Sequence, residues 1–143
     1  MRLLLDEDVP EPLVPLLRHL LKGHDVLHVA DLSWKSKKDV NLFPDAAAKH
    51  FDAVLTANLG QFNNPTECDA IKRSKLHHIS YELDKGLEGL ARASASICAG
   101  IRGVIAELEG ASGQRIARIH QVSKTSKRFT VTNPAKTPPS NYW

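Results

Sequence analysis

The residues best suited to chemistry in this sequence are acidic and polar side chains that follow short apolar runs. Asp6 and Asp8 come directly after the apolar segment 2–5, and Thr56 and Asn58 come at the end of the apolar segment 53–56. Carboxylate oxygens bind Mg²⁺ or Mn²⁺, and such a cation polarises a phosphate and activates water for phosphodiester hydrolysis. With Asp39 at a helix start, these residues predict a compact divalent-metal site assembled from separate segments.

Strands and helices are predicted to alternate along the chain. Short apolar runs predict strands over 2–5, 25–29, 53–56 and 78–81. Apolar residues at helical spacing predict helices over 13–21, 39–49 and 87–109, and Asn64 followed by Pro65 predicts the start of another. We expect Pro44 to suit the first turn of its helix. The alternation predicts an α/β fold with a mostly parallel sheet flanked by helices.

The site follows from that topology. Ligands of such sheets sit beyond the carboxyl ends of the strands, where we expect Asp6 and Asn58 to converge. Farther along, the β-branched segments 115–122 and 128–132 predict a C-terminal β-hairpin. The domain is expected to span residues 1–132, with 133–143 as a disordered tail rich in proline.

Charge is distributed unevenly. Residues 1–71 hold eleven acids against seven bases, whereas residues 72–143 hold five acids against twelve bases. Acids to hold a cation and bases to hold a polyanion are what a metal-dependent nuclease needs; the alternative is that both halves merely solvate the surface. No apolar run approaches the roughly 18 residues of a membrane span. The two cysteines lack metal-type spacing, and we expect both to be reduced in a cytoplasmic protein.

Four sequence segments resemble the PIN-like nuclease families in content and in order. They are Leu5-Asp-Glu-Asp-Val-Pro10, Gly23-His-Asp-Val26, Lys38-Asp39 before an alanine-rich helix, and Asp52-Ala-Val-Leu-Thr-Ala-Asn58. The resemblance covers roughly residues 1–81. It implies a three-layer PIN-like fold and metal-dependent RNA cleavage with Mg²⁺ or Mn²⁺. Because many relatives are VapC-like toxins, it also implies a prokaryotic toxin–antitoxin pair and a protein antitoxin as partner.

The resemblance also assigns roles to individual residues. Asp6 corresponds to the first metal-binding acid and Asp39 to the second, with Asp45 as a rival for that role. Thr56 matches a polar residue of the third motif. Asn58 stands where these families usually carry a third aspartate. Asp8 stands where asparagine is usual, and we expect it to act as an auxiliary metal ligand.

Three further expectations remain open at this stage. Basic side chains are candidates for RNA contacts, namely Lys35, Lys37, Lys38 and Arg73. A homodimer is a further expectation. Because of Asn58, one alternative is a catalytically degenerate PIN-like protein that binds RNA or a protein partner without cleaving. A less favoured one is a receiver-like signalling domain, in which Asn58 would occupy the phosphoacceptor position.

Overall fold

A computed structural model describes residues 1–123, together with 133 and 136. Five strands and four α-helices alternate along it. The strands are β1 (Arg2–Leu5), β2 (Asp25–His28), β3 (Ala53–Thr56), β4 (His77–Tyr81) and β5 (Ile116–Ile119). The helices are α1 (Val14–Leu20), α2 (Asp39–Ala48), α3 (Pro65–Ser74) and α4 (Gly86–Glu109). Short 3-10 turns occupy Glu11–Leu13, Val29–Leu32 and Gln61–Asn63.

All five strands are parallel, in the order β2-β1-β3-β4-β5. The chain moves outward from β1 to β2 on one side and then returns to place β3 on the other side of β1. This reversal creates a crevice at the carboxyl ends of β1 and β3, which is where ligands of doubly wound sheets bind. The predicted α/β class with a parallel sheet is confirmed.

Two apolar layers cover the sheet and make the fold three-layered. On one face, Leu3, Leu5 and Leu55 pack with buried residues of α1 and α4, including Leu17 and Ile97. On the other face, Leu4 and Val54 pack with residues of α2 and α3, including Phe43 and Ile71. Successive strand residues point to opposite faces, so β1 and β3 are buried on both sides, and their apolar character is nearly continuous.

Two details of the predicted helices differ from the structure. Leu16 lies among the apolar residues of the predicted helix 13–21 but is 43% exposed. The segment is a 3-10 turn followed by two α-helical turns, and its buried residues are Leu13, Val14 and Leu17. Pro44 lies inside α2 rather than in its first turn. Because proline has no N–H, the carbonyl of Val40 loses its usual helical donor there.

The C-terminal part of the described chain also differs from expectation. The first arm of the predicted hairpin is β5, which joins the sheet as a parallel edge strand beside β4. The second arm, 128–132, the domain boundary at 132 and nearly all of the predicted tail lie outside the described residues. None of the helices in residues 1–123 combines the length and the apolarity that crossing a bilayer requires.

Candidate active site

The site begins where β1 and β3 end side by side. Leu5 pairs with Leu55 in the sheet, and the backbone N–H of Asp6 donates to the carbonyl of Leu55 at 3.0 Å. This register places the Asp6 side chain opposite Thr56 at the carboxyl edge of the sheet. Asp6 is 8% exposed and Thr56 is fully buried. The strand ends therefore fix the first acid of the site through backbone pairing alone.

Thr56 connects the two aspartates that follow β1. Its Oγ1 lies 2.9 Å from Oδ2 of Asp6 and 3.1 Å from Oδ2 of Asp8, and it accepts the backbone N–H of Asn58 at 3.0 Å. A hydroxyl carries only one proton, so it donates to one carboxylate at a time. The second short contact is a hydrogen bond when the other carboxyl holds a proton of its own. Thr56 is thus placed to link one ionised and one protonated aspartate.

Asp8 reaches across to the turn that follows β3. The backbone N–H groups of Ala57 and Asn58 in that turn favour the ionised form of its carboxyl and so act to lower its pKa. Its carbonyl accepts the hydroxyl of Tyr81 at 2.8 Å, which ties the segment after β1 to the end of β4. Among the described residues, the buried Oδ1 of Asp8 has no hydrogen-bond partner. A buried carboxylate oxygen without a donor is costly, and it is a ready acceptor for a cation or a water molecule.

Asp39 enters the site from the first turn of α2. Its Oδ2 accepts a hydrogen bond from Nδ2 of Asn58 at 3.2 Å, and Oδ1 of Asn58 accepts the backbone N–H of Gly60 at 3.1 Å. The rival acid, Asp45, is one to two turns farther along α2 and forms an ion pair with Lys37 at 2.5 Å. The structure therefore brings Asp39, and not Asp45, to the ends of β1 and β3.

Burial and mutual repulsion shift the protonation of the aspartate pair. Burial, followed by the nearby charge of Asp8, raises the pKa of Asp6 from 3.8 to about 6, although hydrogen bonds from Glu7 and Thr56 oppose the shift. Burial also raises the pKa of Asp8, and the backbone donors at Ala57 and Asn58 oppose that rise. Two carboxyls so close together do not both ionise easily. This agrees with the contacts of Thr56, whose one hydroxyl proton can be donated to only one ionised aspartate at a time.

These residues line one open cleft of about 470 Å³, which we call the acidic cleft. Its acidic residues are Asp6, Glu7, Asp8, Asp39 and Glu67, and its basic residues are Lys37 and Lys38. With five acids against two lysines, the cleft repels a phosphodiester unless a cation or protons offset the negative charge. A cation bound there would reverse that local balance.

The four predicted RNA-contacting bases divide into two groups. Lys37 and Lys38 line the acidic cleft. Lys35 instead pairs with Glu11 at 2.6 Å, and Arg73 pairs with Asp69 at 3.0 Å on the surface of α3, and neither lines the cleft. Nearby, Trp34 packs against the core under α2 with the ammonium of Lys37 4.6 Å from its ring centre. Trp34 is thus an anchor for the loop that carries the cleft lysines.

Two cleft residues were missed from the sequence. Alternation in an extended segment would point Glu7 away from Asp6. The side chain nevertheless lies at the cleft and accepts the backbone N–H of Ser36 at 2.7 Å. For Glu67, the sequence shows only that it lies three residues after the helix cap Asn64, which is typical of a capping contact. The Nδ2 of Asn64 donates to Glu67 at 2.8 Å. Its place at the cleft depends on how α3 packs, which no local pattern reveals.

The donor set suits a hard divalent cation. Mg²⁺ takes oxygen ligands and commonly binds through one or two carboxylates while keeping several waters. Asp6 and Asp8 provide such a pair, including the unpartnered Oδ1 of Asp8. Within the described part of the chain, no three His, Cys, Asp or Glu side chains are close enough to form a complete metal cage. The residues thus fit a cation held by a carboxylate pair plus water rather than an all-protein cage.

The fold and the acidic cleft define a doubly wound α/β protein with an acidic site at its topological switch point. The chain belongs to the PIN-like domain family: the family model, described as a PIN like domain, matches residues 1–82, which include β1 through β4 and every acid of the cleft. This membership places the chain in a nuclease-type family. No curated protein and no solved structure gave a significant match.

Proposed function

We propose that this protein is a metal-dependent ribonuclease whose active site is the acidic cleft. The observation that carries the proposal is the aspartate pair bridged by Thr56 at the ends of β1 and β3, with a buried Asp8 oxygen that lacks a partner among the described residues. A pair this close, in a crevice open to substrate, is more easily explained by binding a cation than by folding, since it destabilises the fold.

The proposal assigns a separate role to each group of side chains in the cleft. Asp6 and Asp8 would supply oxygens for Mg²⁺ or Mn²⁺, and Asp39 would add negative charge at the cleft. Such a cation would polarise the phosphate and lower the pKa of an attacking water. Thr56 keeps Asp6 and Asp8 in place by hydrogen bonds from the buried side of the site. Lys37 and Lys38 contribute positive charge at the rim for the RNA backbone.

The alternative is a PIN-like protein that binds RNA without cleaving it. One observation favours it. Asn58, two residues after β3, carries a neutral amide whose Nδ2 donates to Asp39, so its side chain adds no negative charge to attract a cation. The receiver-like alternative gains no support, because Asn58 cannot form an acyl phosphate. A toxin role and a protein antitoxin follow from the family resemblance alone. Together with the expected homodimer, they stay predictions.

The test is RNA degradation by the purified protein with MnCl₂ or MgCl₂ and with EDTA. Asp6→Asn should lower the rate by at least about a hundredfold, since loss of a ligand removes much of the cation's transition-state stabilisation. Asp25→Asn is the matched control, because it removes one carboxylate that pairs with Arg2 at the amino ends of β1 and β2, away from the cleft. Equal rates for wild type and Asp6→Asn would refute the proposed site, and RNA binding without cleavage would favour the alternative.

A further inference from the structure

Asp8 and Asn58 both lie near the end of β3, but their side chains have different partners there. Asn58 lines the cleft, and both ends of its amide are engaged: Oδ1 accepts the backbone N–H of Gly60, and Nδ2 donates to Asp39. The carboxylate beside the end of β3 comes from Asp8, whose Oδ2 lies 3.1 Å from Oγ1 of Thr56. The negative charge at this strand end is therefore delivered from the segment after β1.

We propose that Asp8 supplies the cation-binding carboxylate at the end of β3, and that Asn58 is a positioning residue that orients Asp39. The inference rests on the proposed function for the use of a cation. It assigns different parts to the two residues: Asp8 works with Asp6 through their shared Thr56 contact, while the Asn58 amide acts through Asp39. The site is then complete with an amide at 58.

The geometry supports this assignment over a site that has simply lost an acid. The Oδ1 atom of Asp8 is buried and lacks a partner among the described residues, whereas its Oδ2 is engaged with Thr56. That leaves one oxygen of Asp8 for a ligand. An aspartate at 58 would lose the only donor that Asn58 offers to Asp39 and would place like charges about a hydrogen-bond length apart, which is unfavourable without a cation.

The experiment exchanges the two residues and measures Mn²⁺ binding by calorimetry, with melting temperature in MnCl₂ and in EDTA as a second readout. Asp8→Asn should weaken Mn²⁺ binding by about tenfold or more. The control Asp25→Asn should change it less than about twofold, because Asp25 pairs with Arg2 at the amino ends of the strands, away from the cleft. The double variant Asp8→Asn/Asn58→Asp should recover affinity to within about threefold of wild type, because both residues line the same cleft and the exchange keeps its number of carboxylates.

A second measurement covers the case in which the double variant does not fold. If Asn58 acts through Asp39, Asn58→Ala and Asp39→Ala should not be additive, and the combined variant should bind Mn²⁺ no more weakly than Asp39→Ala alone. Additive losses overturn the positioning role. An Asp8→Asn variant with wild-type affinity, a folded exchange variant no better than Asp8→Asn, or a wild type that binds no Mn²⁺ overturns the role of Asp8.

RNA cleavage by the wild type, measured in parallel, separates this inference from the proposed function. Mn²⁺ binding that follows the expected pattern without any cleavage would refute the ribonuclease and leave the ligand assignment standing. If the wild type cleaves RNA but the exchange variant does not recover Mn²⁺ affinity, the ribonuclease proposal stands and the assignment of Asp8 is refuted.

Discussion

Asp6→Asn is expected to make the protein more stable at neutral pH while it abolishes function. A carboxyl whose pKa is raised on folding stabilises the fold below its unfolded pKa, and this contribution is lost as the pH rises through the folded pKa. For Asp6 the window runs from 3.8 to about 6. Above it, the ionised carboxylate is held in a buried site beside Asp8, and the fold bears that cost.

The size of the effect follows from the shift. About two pKa units correspond to ~3 kcal/mol, which is an upper estimate since relaxation and water reduce it. An amide at position 6 can still accept from Glu7 and donate to Thr56, whose hydroxyl then donates to Asp8. We therefore expect Asp6→Asn to raise stability by about 1.5–3 kcal/mol at pH 7, or roughly 5–10 °C in melting temperature for a domain of this size.

The assay is thermal unfolding of wild type and Asp6→Asn in EDTA between pH 4 and pH 8. The two proteins should melt at similar temperatures near pH 4 and diverge as the pH rises to 6, after which the difference stays constant. Asp45→Asn, which removes an acid from a surface ion pair, should show a small difference from wild type at every pH. A variant less stable than wild type at pH 7, or a difference independent of pH, would refute this account of Asp6.

Three other predictions test separate features of the fold. His78 is fully buried, and burial lowers its pKa from 6.5 to about 4; its contribution is therefore present above pH 6.5 and lost as the pH falls through 4, opposite in sign to that of Asp6. Because the two effects cancel, wild-type stability should change little between pH 6 and pH 4, while Asp6→Asn should lose about 2–3 kcal/mol over that range. If urea unfolding shows that the stability of the variant does not depend on pH, Asp6 and His78 do not have opposite effects. Tyr81→Phe removes the donor to the Asp8 carbonyl and should cost about 1–2 kcal/mol, measured by the same unfolding, and an unchanged midpoint would show that this bond contributes nothing. In α4, Gly89→Ala would place a Cβ 2.1 Å from the Asp84 carbonyl oxygen, whereas the Cβ of Gly103→Ala meets nothing within 4 Å. We expect Gly89→Ala to destabilise the fold by at least about 2 kcal/mol and Gly103→Ala to stabilise it by about 0.5–1 kcal/mol. Equal melting temperatures for the two variants would show that the close approach at Gly89 is unimportant.

Local signals in the sequence determined the elements and the edge at which the site lies. The run before Asp6 and the run before Thr56 are short, apolar and abruptly ended, which is what a strand buried on both faces requires. The cap at Asn64 is also local, since its Oδ1 accepts the backbone N–H groups of Thr66 and Glu67. Because parallel strands align their carboxyl ends, the sequence predicts Asp6 and Asn58 at the same edge of the sheet, and both line the acidic cleft.

Only the tertiary structure decided which acids join them. Asp39 and Asp45 lie on the same short helix, and the packing of α2 against the sheet sends one to the cleft and the other to Lys37. The sequence likewise left β5 free to form a hairpin, but the packing of α4 against the sheet places β5 beside β4, with Gly100 close to Ile119. The contacts of Thr56 with Asp6 and Asp8 join residues about fifty positions apart. Such contacts depend on distances set by the whole fold, and no spacing within the sequence encodes them.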